Sequence, residues 1–412
     1  MTAEVVIVGA GIGGSALATV LARAGIGVLL LEKTKQHKDV VRGEWMAPWG
    51  VLEAQELGLL DLYEAAGANR PLVHQSFNDF TDGPVGELDL TEAMPALPVC
   101  LGHPRACDLL NEAAVSAGAE LVRGITGLSV EPGTPPKVSY QLNGERFDLQ
   151  PRLVVGADGR NGVVARQIGC RVTQDEEHHL FSGMLVEGAD EWPDHLQVIA
   201  TEGDVNVLAF PQGEGKVRIY LGWPKEERSL LVGPEGPQRF LERWQLDCVP
   251  QSDTIVKANP ASPCIAYPNF DAWVDNPVRE GVVLIGDAAG RNDPIIGQGL
   301  SITHRDVRMV RDALLGNQVW SDKIFTDYVD EREFRMSKLR ITARLTTLRE
   351  SVFGQQGLEL RQNIHERLSA DPDLGAPYTA AFIGPENLPD EVFSDAFLAQ
   401  IVGEPIWSPA LP

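Results

Sequence analysis

Positive charge is in short supply in this sequence. Lys and Arg number 35 against 58 Asp and Glu, a formal charge of −23 over 412 residues. So acidic a chain excludes a nucleic-acid partner, whose phosphates need a basic footprint, and argues against docking on an anionic membrane face. Cysteine is sparse too. Cys100, Cys107, Cys170, Cys248 and Cys264 are odd in number and none stands in a CxxC pair. That suits reduced thiols of a cytoplasmic protein better than a disulfide framework or a zinc site, and no metal ligand set is expected. No apolar run approaches the ~20 residues of a bilayer span. The first apolar run begins at residue 4 without a basic segment before it and is broken by glycine turns, so it does not read as a signal peptide. HExxH, nucleophile-elbow and P-loop motifs are missing, as are internal repeats and low-complexity segments.

What is present is ordinary globular composition, 43% hydrophobic and 23% charged. At ~150 residues per domain the length suggests two packed domains or one interleaved one. The chain opens as strand, glycine turn, helix, strand. Residues 4–8 form a short apolar run stopped by Gly9, as in a buried parallel strand. Residues 14–24 have helical composition with Gly25 and Gly27 placed to end the helix, and residues 28–31 make a second buried strand ending at Glu32. Similar apolar strands recur at 153–155 and 281–285. Helices are expected near 49–66 and 105–117, and a long helical stretch from about 300 to 367 is interrupted near Gly316. Asn143-Gly144 marks a hairpin. From 175 to 275 the alternation predicts antiparallel strands with one wet face. A nucleotide domain threaded through separate segments is the economical reading.

Gly9-Ala10-Gly11-Ile12-Gly13-Gly14 matches GxGxxG between strand and helix. Gly9 allows the tight turn, Gly11 lets backbone approach a pyrophosphate, and Gly14 permits close helix packing. The first amides of that helix supply an anion site. Glu32, 18 residues beyond Gly14, is positioned to accept ribose hydroxyls, and its charge would repel a 2′-phosphate. FAD or NAD therefore fits this pocket better than NADP. A glycine turn that merely packs is the bland alternative.

The stretch from Gly286 to Asp306, GDAAGRNDPIIGQGLSITHRD, resembles the second FAD fingerprint of the aromatic-ring hydroxylases, the single-component FAD-dependent monooxygenases related to p-hydroxybenzoate hydroxylase. Gly286, Asp287, Ala288, Ala289, Pro294, Gly297, Gln298 and Gly299 fall on that pattern. Gly156-Ala157-Asp158-Gly159 with Arg166 is similar to the family's DG motif. Arg42 through Gly50, Leu57-Gly58-Leu59 and Arg105 at a helix start also fit, so the likeness runs along nearly the whole chain in order. Gly290, Ser301 and Gly162 depart from the usual His, Asn and Ser.

The resemblance implies an α/β fold: a Rossmann-like FAD-binding domain of the p-hydroxybenzoate hydroxylase type with an inserted antiparallel-sheet substrate domain and a helical C-terminal region. The expected division is 1–72 with 101–174 and 276–345, then 73–100 with 175–275, then 346–412. It implies non-covalent FAD, transient NADH or NADPH, O2, and hydroxylation of a small aromatic or polycyclic substrate through a flavin C4a-hydroperoxide, in a monomer or homodimer. Asp287 would accept from ribityl hydroxyls. The helix starting near Gly299 would turn its positive end to the flavin, and Pro294 would lie by the reacting site. Arg42 and Arg105 would contact FAD, although either could be a surface ion pair. Asp158 would serve FAD or nicotinamide approach, or simply cap a helix. No second glycine-rich unit is present to hold the nicotinamide.

Substrate-lining candidates are Trp45, Met46, Trp49, Met184, Phe210, Tyr220 and Trp223; each could equally be plain core. His74, His103, His178 and His179 are possible bases without an assignable one among them. A reductase or halogenase on the same scaffold, or a flavoprotein that binds ligand without turnover, remain as alternatives.

Overall fold

The computed structural model describes residues 3–40 and 43–403. Its first layer is a six-stranded sheet built from segments far apart in sequence. The order is Val278–Arg279, Val282–Leu284, Leu153–Gly156, β1 (Val5–Val8), β2 (Val28–Glu32), Glu120–Arg123. Every pairing is parallel except the edge pair of Val278–Arg279 with Val282–Leu284. β1 and β2 are buried along their whole length, which is why they read as continuous apolar runs: helices and loops cover both faces. Each fully buried Val or Leu there contributes about 1.5–3 kcal/mol.

Helix α1 (Ile12–Arg23) follows the glycine turn and buries Ser15 and Thr19 as well as its apolar residues. It packs against the helices His103–Ser116 and Gly299–Leu315. Thr19 Oγ1 returns to its own helix at Ser15 O (2.8 Å), and Asn111 Nδ2 ties the neighbouring helix to Ala10 O (3.1 Å). Small and hydroxylated residues let these helices approach the sheet closely. The Asn143-Gly144 hairpin forms as expected, joining Lys137–Leu142 to Glu145–Leu149 with both turn residues at positive φ.

The second layer is an eight-stranded sheet centred on Leu180–Glu187, Lys216–Trp223, Val205–Gly213 and Leu196–Glu202. These four pair antiparallel, but Leu196–Glu202 pairs parallel with Val73–Asn78, which reaches this sheet from much earlier in the chain. The expectation of one wet face is overturned. Lys216–Trp223 is buried at seven of eight positions, because both faces are covered. One face packs on Phe240, Leu241, Trp244 and Ile255. The other carries Phe181, Leu208 and Tyr220 in a cluster with Met336, Leu339 and Ala381 of the C-terminal helices.

Those helices are α2 (Gly299–Leu315), α3 (Thr326–Glu350), Gly354–Ala370 and the shorter Ala376–Ile383 and Asp395–Val402. Residues of α2, α3 and Ala376–Ile383 line one long cleft, while Gly354–Ala370 and Asp395–Val402 pack on each other in a separate cluster. Among the described residues no helix is long and apolar enough to cross a membrane.

Candidate active site

The cleft is a single cavity of about 980 Å³. One end is the glycine turn. Gly9 has φ +104°, and a Cβ there would stand 2.4 Å from Ala157 O, so only glycine fits. At Gly11 nothing of the protein lies within 4 Å of a Cβ position, and the residue lines the cavity. The bare backbone there faces space rather than packing. Gly14 is off the cavity; a Cβ would meet Gly9 O at 1.9 Å, so its role is the close packing of α1 on the turn. Glu32, at the end of β2, accepts from Ala10 N (2.8 Å), Thr34 N (2.8 Å) and Thr34 Oγ1 (2.7 Å). Burial alone would raise its carboxyl, but those bonds outweigh it and hold the group below the ordinary carboxylate range. It is an anion fixed at the cavity wall.

Asp158 stands beside this turn. Its Oδ2 accepts from Val163 N (2.6 Å) and Val164 N (3.0 Å), the start of a short helix, while Oδ1 is buried without a partner among the described residues. Burial pushes its carboxyl up. The capping reading thus holds for one oxygen and leaves the other for a ligand. Gly162 lies directly under the carboxylate, where a Cβ would stand 2.3 Å from Asp158 Cγ; a serine there would displace Asp158.

Along the middle of the cavity run Gly286, Asp287, Arg291, Asn292 and residues 294–300. Asp287 faces Arg160 at 3.8 Å. Its loop is held from below by a group that motif reading passed over. Asp306 accepts from Gly286 N (2.8 Å), Arg332 Nε (3.0 Å) and Arg335 Nη2 (2.8 Å), and Arg332 reaches the carbonyl oxygens of Gly286, Ala289 and Gly290. Gly290, at φ +110°, admits no side chain, since a Cβ would lie 2.8 Å from Ala272 O. Ser301 Oγ accepts from Ala47 N (3.2 Å) and sits against Gly50, so both departures answer to local packing.

The segment Pro294–Ile296 and Gly297, at φ +66°, lead into α2, whose first residues Gly299 and Leu300 line the cavity. Gln298 is pinned between Trp49 Nε1 (2.7 Å) and Ala381 O (3.0 Å). Beneath this segment His178 Nδ1 meets Asp293 at 2.9 Å and its Nε2 meets Asp175 at 3.2 Å. Burial alone would lower His178; the two carboxylates win and raise it to about 9. Asp271, buried and next to Asp293, is raised to about 7.

The far end is an aromatic chamber. Trp45, Phe210 and Tyr220 line it as expected, with Phe181, Tyr267, Tyr378 and Phe382 added. Trp45 lies 5.8 Å from Phe210 and 5.9 Å from Phe382 between ring centroids, and Phe181 stacks on Tyr220 at 5.5 Å. Met184 and Trp223 are not there. Strand alternation turns them to the opposite face, where they pack with Trp192, Phe240 and Trp244. His74 does line the chamber. Trp45 Nε1 donates to Gln197 Oε1 (2.8 Å), so the Gln197 amide nitrogen donates to His74 Nδ1 (3.1 Å). That ring is neutral with its proton on Nε2, and burial together with the Arg349 charge lowers it to about 4. Nε2 in turn lies 3.4 Å from Ser76 Oγ, so both ring nitrogens are engaged within the protein. His103 lines the cavity, and His179 is buried against Asn269.

Arg42 lies outside the described residues; Val40 and Gly43 on either side both line the cavity. Arg105 and Arg166 are exposed and off it. Glu44, at the cavity edge, is clasped by Arg218 through Nε (2.8 Å) and Nη2 (2.9 Å), with both side chains buried.

The sequence profile of the FAD binding domain family matches residues 2–338. The chain belongs to that family. Squalene epoxidase 2 of Arabidopsis thaliana is 25% identical over 358 residues, 85% of this chain but 60% of that protein. Among solved structures, the p-nitrophenol 4-monooxygenase PnpA of Pseudomonas putida superposes with TM-score 0.71 at 17% identity, over 98% of this chain and 99% of that one. The flavin-dependent brominase Bmp2 does so with TM-score 0.69 at 18% identity, over 98% and 95%. These likenesses show the fold. The residues present suit the family's FAD: bare glycine backbone facing the cavity, a fixed carboxylate on β2, an unpartnered Asp158 oxygen, and a helix start at Gly299.

Proposed function

We propose that this protein is an FAD-dependent monooxygenase that draws electrons from NADH or NADPH and hydroxylates an aromatic or polycyclic small molecule with O2. The observation that carries this reading is the continuity of the cavity, from the glycine turn and Glu32 past Asp287 and Pro294 into the aromatic chamber. Its volume of about 980 Å³ is at the upper end for one drug-sized ligand, and its two ends differ in chemistry.

Gly9, Gly11, Glu32, Asp158, Asp287, Gly297 and Gly299 would hold FAD, with Gly14 holding the turn itself. When bound, FAD supplies hydride acceptance from the nicotinamide and delivery of one oxygen atom of O2 to the substrate, the other leaving as water. The protein's part is binding, orientation and exclusion of water. Glu32 would accept ribose hydroxyls on the lone pairs its three bonds leave free, and Asp287 would accept from the ribityl chain. The amides opening α2 present positive partial charge where negative charge develops. Pro294, Ile295 and the aromatic chamber keep that region dry. Arg42, flanked by two cavity residues, would add a cation at the flavin; Arg105 would do so only after its side chain swings inward.

The purified protein should be yellow or reconstitute with FAD, and should oxidise NAD(P)H with O2 uptake faster when its substrate is added. Colourless protein that takes up no FAD would refute the proposal. The likeness to a brominase favours a halogenase as the second reading, yet Glu44-Trp45-Met46-Ala47-Pro48-Trp49 does not supply the WxWxIP signature of such enzymes. Halide-dependent product mass separates the two, and turnover without O2 would point to a reductase instead.

A further inference from the structure

The second FAD fingerprint hangs from a small three-stranded sheet. Val172–Gln174, Ala272–Val274 and Gly290–Arg291 make it up, and Gln174 and Arg291 both pair with Ala272 at one end. Three carboxylates therefore gather just beyond that end. Asp175 N donates to Asp271 O (3.0 Å), and Asp271 Oδ1 accepts from Asp293 N (2.8 Å). His178 joins two of them, with Nδ1 2.9 Å from Asp293 Oδ2 and Nε2 3.2 Å from Asp175 Oδ2. An ionised carboxylate only accepts, so both ring nitrogens must donate, and only the imidazolium has two N–H groups. A neutral ring would hold one partner and turn a lone pair on the other. Around this cluster, His179 is lowered to about 4 by burial and stays neutral, Glu177 pairs with Arg228, and Arg340 of α3 faces Asp271.

Asp293 connects this ion pair to the cavity. Its Oδ1 accepts from Ile295 N (2.9 Å) and so fixes the turn Pro294–Ile296, all three residues of which line the cavity. The Asp293 side chain is fully buried. Deprived of its cation, that carboxylate must either stay buried at high cost or turn toward water and give up Ile295 N. We infer that His178 is a positioning residue for FAD: protonated on both nitrogens, it holds Asp293 and thereby the turn that receives the cofactor, and FAD binding weakens when it loses a proton. This rests on the FAD-binding part of the function proposed above and not on what becomes of the substrate.

The test is the dissociation constant for FAD, read by ultrafiltration and flavin fluorescence at about pH 7.5 and about pH 9.5 without substrate. His178 titrates at about 9, so about a quarter of the rings keep the extra proton at the higher pH, and native affinity should fall about fourfold. Asp175→Asn puts an amide donor opposite Nε2, which a neutral ring can accept from. That variant should bind FAD as tightly as the native protein at the lower pH and lose less than about twofold at the higher. His178→Gln carries no charge and should bind FAD weakly, and equally so, at both. If His178→Gln fails to fold, the native protein and Asp175→Asn decide. Native affinity that does not change with pH, a fall that survives Asp175→Asn, or His178→Gln binding FAD as tightly as native would each overturn the inference. Weak binding by Asp175→Asn at both pH values would overturn it as well, because the Asp175 carboxylate and not the proton would then be the holding group. FAD binding that behaves as expected in a protein whose NAD(P)H oxidation no substrate stimulates would sink the monooxygenase reading and spare His178. Stimulated turnover with pH-independent FAD affinity would do the reverse.

Discussion

At Gly14 a single added methyl would stand 1.9 Å from the Gly9 carbonyl oxygen, an atom of the turn that cannot swing aside. Gly14→Ala should therefore destabilise the protein by at least about 1–3 kcal/mol and lower its FAD content, measured by thermal unfolding and by the flavin-to-protein absorbance ratio. Gly11→Ala meets nothing of the protein within 4 Å, so it should fold normally and lose FAD alone; an unchanged affinity for FAD would show that the backbone there is not a ligand contact. The two glycines look alike in the motif, and only coordinates separate packing from binding. Gly162 and Gly290 carry the same lesson. As departures from a family pattern they had no visible cause, whereas in the structure each occupies a place where a neighbour forbids a side chain.

Elements matter through the contacts that lock them together. The 43–46 segment is fastened to the second sheet by Glu44 and Arg218, a buried bidentate pair that Asp39 also joins at 2.5 Å. Arg218→Met leaves the Glu44 carboxylate buried without its cation, and should cost about 3–5 kcal/mol, read as a lower denaturation midpoint at constant slope. The 293–297 segment is locked from beneath by His178. Its folded value, about 9, exceeds the ordinary histidine value, so the native state holds its proton more tightly than the unfolded chain does. That contribution is complete below about pH 6.5 and is lost as pH rises through 9, with a slope of at most ~1.4 kcal/mol per pH unit. Asp271, raised to about 7, also favours the protonated native state, and its contribution falls as pH climbs toward 7. Unfolding temperature should accordingly fall from pH 6.5 to 9, and His178→Gln should flatten the curve. A native curve that rises over this range would contradict the assignment. Such pairs are invisible to pattern reading because their members lie 174 and 115 residues apart, and each alone reads as an ordinary surface charge.

For the molecule as a whole, the cavity lies between parts that each need the other. The first sheet supplies the glycine turn and Glu32, the second supplies Phe210 and Tyr220, and α3 with the Ala376–Ile383 helix closes the chamber. A ligand that binds here and not to the unfolded chain must stabilise all three together. Added FAD at about 100 times its dissociation constant should contribute roughly 2.7 kcal/mol, seen as one cooperative unfolding transition at higher temperature. Two transitions, with only one responding to FAD, would show that the sheets unfold independently. The charge of −23 does not oppose this binding, because backbone amides and a helix start act within a few ångströms whereas net charge acts through screened solvent.

The sequence by itself determined the parallel-strand layer, the glycine turn, the carboxylate at Glu32 and the family, because these depend on residues close together in the chain and on strict backbone needs at a few glycines. Residue type singled out Trp45, Phe210 and Tyr220, which line the chamber, but the same criterion also named Met184 and Trp223, which alternation turns to the other face. Tertiary structure alone decided which face of the second sheet meets the cavity, that neither face is wet, and that Asp306, Arg332 and Arg335 hold the loop around Asp287. It also decided that His178, in the sequence one possible base among several, joins Asp175 to Asp293 instead. The reason is physical: local sequence dictates backbone geometry, but burial and charge pairing are set by what the fold brings from elsewhere.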